Sequence, residues 1–318
     1  MKILVVGLGV IGTTYAYLFE KAGHEVEHFI REGSDKNSIE MLEVDLLDGR
    51  TDKYGNQVRD TYDVKHCSQK VYDFIFVSVP SGRIEDVIES LDNSQIKGTI
   101  ILACGIWENR ESLDTLMSGH DYLLGYPVAG GKCSSTHLAA CVFDHFMIEK
   151  EEKTEIPNYS DIETLFSDCQ ILLEKPYDML EWIWLHMAIN AAVVSVAGKY
   201  GNINQPSASA ENLMNSSAIL KQAVVVIRET SGIIAERGVA LKYYRNELLA
   251  YWLPTFISVP LMKKMFAKNV LTRKIMTLHG NTEDLLFVCK SVYDCGQISH
   301  VEAPIFYDCY NALLPKID

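Results

Sequence analysis

Residues 2–6, KILVV, follow a single lysine with an unbroken apolar run, and residues 11–22 then place apolar side chains three and four apart. The first pattern predicts a strand and the second a helix, with Gly23 standing where a helix C-terminus accepts a left-handed residue. Residues 25–30 return to a strand pattern. DFIFVSV at 73–79 and GTIILAC at 98–104 are continuous apolar runs, as strands covered on both faces require, and IEDVIESL at 84–91 between them is helical. DYLLGYPVAGG at 121–131 and LAACVFDHFMIE at 138–149 add two strand candidates separated by glycine turns. Strands alternating with helices predict a parallel, doubly wound α/β sheet.

The pattern changes near residue 175. NYSDIETLFSDCQILLEKP at 158–176 reads as a helix and a short strand closing a first domain. Beyond it, helical periodicity dominates over roughly 178–200, 208–237, 240–252, 258–278 and 282–295. The expected organisation is therefore a domain at 1–174 and an all-helical domain at 175–318, with the cleft between them as the default ligand site. No repeat of fixed period interrupts this plan.

Composition narrows the function. Of the 318 residues 48% are apolar and 22% charged, and the formal charge is −13. That balance argues against non-specific nucleic-acid binding, which needs clustered Lys and Arg, but leaves room for a local cationic pocket. Eight cysteines lack zinc-like spacing, so no metal is expected and they read as free thiols in a reducing, cytoplasmic setting. The opening run imitates a secretion leader but passes directly into a helix and a second strand, which argues against one. The apolar stretch LLAYWLPTFISVPLM holds 15 residues and two prolines, Pro254 and Pro260. A bilayer span needs ~20 residues, so no membrane partner is expected.

Gly7, Gly9 and Gly12 satisfy G-x-G-x-x-G between a strand and a helix, with a second strand following. In that context Gly7 permits the tight turn, Gly9 lets backbone approach a diphosphate, and Gly12 lets helix and strand pack closely. The loop as a whole, including Leu8, Val10 and Ile11, opens a helix N-terminus whose free N–H groups favour an anion. These features predict a Rossmann-type dinucleotide site. At the end of the second strand Arg31 takes the place where NAD-preferring folds put an acid, so a 2′-phosphate and NADP are expected ahead of NAD. Glu32 is the competing acidic candidate, and a solvated strand-end Arg31 is the plain alternative.

With the glycine loop, Arg31, the VSVP strand end and a helical second half in view, the chain resembles the ketopantoate reductase family, whose members reduce 2-dehydropantoate or other 2-oxo acids with NADPH. The resemblance implies that Val79 and Pro80, after the fourth strand, and Cys104 and Gly105, after the fifth, line the cofactor. It aligns the family's W-x-K-L-x-x-N segment with WLHMAIN at 184–190, placing His186 where the family carries a catalytic lysine and retaining Asn190. A second family asparagine falls on Val194, a third on Cys104, and a basic residue on Pro80. The family's substrate-binding glutamate falls on Glu283, with Asp284 the competing register.

Ketone reduction needs a proton donor at the carbonyl oxygen and groups that hold the carboxylate. Histidine titrates near neutral pH and can donate, and His186 and Asn190 lie four apart on one helix face. A hydrogen-bonded core histidine is the structural alternative. Glu283 could hold a substrate hydroxyl or simply cap a helix with its neighbours. Gly130 and Gly131 read as a hairpin turn. Lys263, Lys264, Lys268, Arg273 and Lys274 read as a solvated helix face, and Trp182, Trp184, Tyr251 and Trp252 as core or subunit contacts. The expected function is NADPH-dependent reduction of a small anionic 2-oxo acid, in a possible homodimer. An inactive NADP-responsive sensor and an opine-type or other hydroxyacid dehydrogenase are the alternatives, and the substrate itself is not named by the sequence.

Overall fold

The longest apolar runs become the most deeply covered strands. In the computed structural model, which describes residues 1–278 and 281–316, nine strands form one sheet. They are β1 (Lys2–Val6), β2 (Glu25–Phe29), β3 (Met41–Asp48), β4 (Asn56–Asp63), β5 (Val71–Val77), β6 (Lys97–Ala103), β7 (Tyr122–Cys133), β8 (His137–Ile148) and β9 (Leu172–Glu174). Interleaved helices are α1 (Val10–Lys21), α2 (Ile84–Asn93), α3 (Arg110–Leu116) and α4 (Tyr159–Asp168). The strand order is β2-β1-β5-β6-β7-β8-β3-β4, with β9 beside β8. Neighbours from β2 to β7 run parallel. The chain leaves β1 for β2 on one side and returns to β5 on the other, so the order reverses at β1/β5. That reversal opens the crevice where such sheets take ligands.

The expected α/β class with a Rossmann-type N-terminal half is what the chain adopts, but the sheet is mixed. β3–β4 and β7–β8 are antiparallel hairpins. Gly130 and Gly131 are not a turn: both lie inside β7, paired with Cys141 and Ala140 of β8. A Cβ on Gly131 would come within 2.8 Å of Val10 Cγ2 and 2.3 Å of the Ala139 carbonyl oxygen, so the glycine lets β7 pass close under the start of α1.

The sheet also wraps α1. Beyond β4 the chain reaches an isolated parallel bridge between His66 and His28 of β2, so the far end of the strand path returns to its beginning. Every residue from 12 to 19 of α1 is buried, as a helix enclosed on all sides must be. Tyr15, Phe19, Phe76, Phe146 and Phe166 form its aromatic packing, with ring centroids 4.6–6.4 Å apart.

The chain divides into two compact units, Met1–Leu180 and Glu181–Asp318. The second is built from α5 (Met179–Tyr200), α6 (Pro206–Asn215), α7 (Ser217–Glu236), α8 (Arg245–Trp252), α9 (Thr255–Lys268), α10 (Val270–Leu278), α11 (Thr282–Ile298) and α12 (Pro304–Leu313). The helical stretch expected over 208–237 is two helices, because Ser216 adopts extended backbone and its side chain accepts the Ile219 N–H as a new cap. α5 is long and apolar enough to cross a bilayer, yet 67% of its most apolar window is buried inside the protein, which marks a core helix.

Candidate functional site

β1 delivers the glycine loop to the switch point. Gly7 has φ +83°, a conformation that suits glycine, and its N–H donates to the Phe29 carbonyl at 2.8 Å. Gly9 precedes α1 with φ −91°, and a Cβ built there would meet nothing within 4 Å. A Cβ on Gly12 would lie 2.9 Å from both Val5 Cγ1 and Ser78 Oγ, so α1 touches β1 and the end of β5 through hydrogen alone. The first-turn N–H groups of Val10, Ile11 and Gly12 have no intrahelical acceptor, and that turn carries no acid to compete for them. Leu8 is buried beneath the loop.

Three further groups complete this cradle. His28 is fully buried. Its Nδ1 lies 2.8 Å from the Gly7 carbonyl oxygen and its Nε2 lies 2.8 Å from the Tyr62 hydroxyl. A carbonyl only accepts, so Nδ1 carries the hydrogen and Nε2 accepts from Tyr62. Burial pushes the imidazole down to about 4, keeping it neutral. Lys36, in the short helix after β2, donates from Nζ to the Leu8 carbonyl at 3.0 Å. Ser78 Oγ, at the end of β5, is buried with no hydrogen-bond partner among the described residues.

Arg31 lies two residues beyond β2, exposed, and its guanidinium has no ion pair among the described residues. Glu32 beside it is also exposed. Val79 and Pro80 follow β5, half-buried and exposed respectively, while Cys104 is buried and Gly105 half-buried directly after β6. The register Val6↔Val77↔Leu102 puts these strand ends side by side with the glycine loop. A dinucleotide fits the cradle on two counts: open space over Gly9, and an unspent buried hydroxyl at Ser78. Sequence reading missed His28, Tyr62, Ser78 and Lys36. Only Lys36 left a signal, a second cation five residues after Arg31.

The helical unit holds the remaining candidates. His186 is half-buried and stacks on Trp182, centroids 5.0 Å apart and planes at 11°. Asn190, one turn later, lines an apolar pocket with Val194 on the same helix face and Leu285 of α11. Glu283 sits exposed in the first turn of α11, two residues from that Leu285. The cap there is Asn281, whose side chain accepts the Asp284 N–H at 3.2 Å. Thus Asn190 reaches the pocket wall, and Glu283 does not line it. Trp182 and Trp184 are buried, with the Arg237 guanidinium 4.2 Å from the Trp184 ring, whereas Trp252 is exposed. Of the cationic stripe, Arg273 is paired with Glu211 and Lys263 donates to Ser217. The eight cysteines are unbridged, and no metal-binding cluster occurs among the described residues.

Residues 3–125 match the family model described as ketopantoate reductase PanE/ApbA. No curated protein matches by sequence. Among solved structures, a dimeric ketopantoate reductase from Staphylococcus aureus is 13% identical with TM-score 0.64, covering 99% of this chain and 98% of its own. A 2-dehydropantoate 2-reductase from Geobacter metallireducens GS-15 is 13% identical with TM-score 0.67 over 100% of both chains. A D-mandelate dehydrogenase bound to NADH and anilino(oxo)acetate is 12% identical with TM-score 0.68, covering 99% and 98%. At these identities the likeness is one of fold.

Proposed function

We propose that this chain is an NADP-dependent oxidoreductase that reduces the keto group of a small 2-oxo acid to the 2-hydroxy acid. The observation that carries the reading is the open backbone cradle at Gly9, set at the switch point with Arg31 and Lys36 in the loop after β2. A reduced nicotinamide dinucleotide, when bound, supplies hydride to the keto carbon. The chain's own residues do the rest. The first-turn N–H groups of α1 hold the diphosphate, and Arg31 with Lys36 takes the 2′-phosphate. NAD lacks that phosphate and is the weaker ligand. Val79, Pro80, Cys104 and Gly105 border the nicotinamide side.

Asn190 orients the acid through its amide, and protonated His186 gives its proton to the C2 oxygen as hydride reaches C2. Stacking on Trp182 fixes the ring's tilt for that transfer. Glu283, exposed in the first turn of α11, is the substrate-facing acid of this reading. The anionic substrate, a cytoplasmic setting and a homodimer like that of the Staphylococcus aureus neighbour belong to this reading. A second reading, an NADP-responsive sensor without turnover, is favoured by one observation: His186 packs flat on Trp182 as a structural histidine would.

One experiment separates the two. Calorimetric titration with NADPH and NADH is run beside NADPH oxidation against a panel of 2-oxo acids. Tight NADPH binding with turnover supports the enzyme, and tight binding with no oxidation of any acid supports the sensor. Absence of heat with either coenzyme ends both.

A further inference from the structure

The pocket beside Asn190 has a composition that speaks to the substrate. It encloses about 80 Å³ among α5, α6, α10 and α11, walled by Val194, Ala197, Ile203, Met276 and Leu285. Two polar side chains reach it. Ser209 has no proton left to give, since its hydroxyl donates to the Asn202 carbonyl at 2.8 Å and also accepts the Asn202 N–H at 2.9 Å. Asn190 has no hydrogen-bond partner among the described residues, so its amide can still bind a ligand. The pocket thus has one side chain with a free donor, Asn190, on an otherwise mostly aliphatic wall.

We infer that this pocket seats an unhydroxylated, branched alkyl side group of the substrate, while Asn190 holds the polar head. The inference rests on the reading of the chain as a 2-oxo acid reductase. Size sets the upper bound. An apolar cavity of ~150 Å³ accepts benzene, and this one is about half as large. It therefore takes about three to four carbons and excludes a phenyl ring. Chemistry sets the other bound. With the Ser209 proton committed to Asn202 and Asn190 engaged by the head, a hydroxyl on the side group would find no free donor in the pocket.

The test compares two acids of nearly equal shape, 3,3-dimethyl-2-oxobutanoate and its 4-hydroxy derivative, 2-dehydropantoate, with pyruvate as the small reference. The wild-type protein should prefer the unhydroxylated acid by about 10- to 100-fold in kcat/KM, the range in which an apolar pocket discriminates against a hydroxyl. Ala197→Leu should fill the pocket and lower kcat/KM for the branched acid at least ~10-fold while sparing pyruvate. Val194→Ala should enlarge it and raise relative use of 4-methyl-2-oxopentanoate, which keeps the test standing if the leucine variant misfolds. NADPH affinity and melting temperature are measured for each. Turnover that favours the hydroxylated acid, or that is indifferent to both variants, overturns the side-group assignment and leaves the enzyme reading intact. Turnover of no 2-oxo acid overturns the enzyme reading and this inference with it.

Discussion

His28 Nδ1 stands 2.8 Å from the carbonyl oxygen of Gly7, so a side chain of β2 holds the turn that opens α1. The same ring accepts from Tyr62 of β4, which ties the far end of the sheet path to the glycine loop. One neutral imidazole therefore joins three elements that the sequence spreads over 55 positions, from 7 to 62.

The sign of its pH dependence follows. His28 falls from 6.5 to about 4 on folding, so the unfolded chain binds the proton first as pH drops. Its full stabilisation is present above about pH 6.5 and is lost between there and pH 4. At 1.36 kcal/mol per unit, that loss is about 3 kcal/mol. Denaturant titrations from pH 7 to 4 should show it, and His28→Gln, which keeps a donor for Gly7, should flatten the slope. His24, pushed down by burial and the chain's own amino terminus, supplies a residual slope of the same sign. A variant as steep as the wild type would remove His28 from this role.

Gly9 and Gly12 should separate binding from folding. Gly9→Ala puts its methyl into open space, so stability should change by no more than about 1 kcal/mol, yet that methyl stands where the diphosphate must approach. Dinucleotide affinity should fall at least ~10-fold. Gly12→Ala drives a methyl to 2.9 Å from Val5 and Ser78, so both melting temperature and affinity should drop. Calorimetry beside thermal unfolding checks the pair.

Arg31→Ala and Lys36→Ala bear on coenzyme choice. Each removes a charged donor worth ~1.5–3 kcal/mol, so NADPH affinity should weaken about 10- to 100-fold while NADH affinity stays within about twofold. Lys36→Ala also releases the Leu8 carbonyl, and a small loss with both coenzymes should accompany it. Equal loss of both coenzymes in Arg31→Ala would assign Arg31 to the diphosphate instead.

His186→Ala should reduce kcat by ~10²–10⁴ with NADPH affinity unchanged, the usual range for a lost general acid. Asn190→Ala should raise KM for the acid more than it lowers kcat. A kcat profile that loses its alkaline limb in His186→Ala, measured across pH 5–9, distinguishes proton donation from the support that Trp182 stacking alone would give.

The Rossmann-like half was legible because its signal is local: a strand, three glycines and a helix within residues 2–22. β3 and β4 escaped because Glu43, Asp45 and Asp48 interrupt the apolar residues of MLEVDLLD and NQVRDTYD is largely polar, and each presents one face to solvent. The β7–β8 hairpin turns at 134–136 through small polar residues, while the more conspicuous glycine pair belongs to a close crossing under α1. Ser216 broke a helix that apolar spacing alone carried through. Tyr62 and His28 meet across 34 positions with no periodic pattern to announce them. In the helical unit, the sequence placed His186 and Asn190 on one face, but the pocket between four helices exists only once they pack.

Enclosure of α1 on every side has a kinetic consequence. Its first turn is the proposed diphosphate seat, and residues 12 to 19 of the same rod are buried in the domain's interior. The grip cannot hinge open without disturbing Tyr15, Phe19 and the rings around them, so it serves as a rigid anvil. On the proposed reading a coenzyme would come and go by diffusion from a seat that keeps its shape, and α1 amides past the first turn should exchange with solvent only when the whole domain opens.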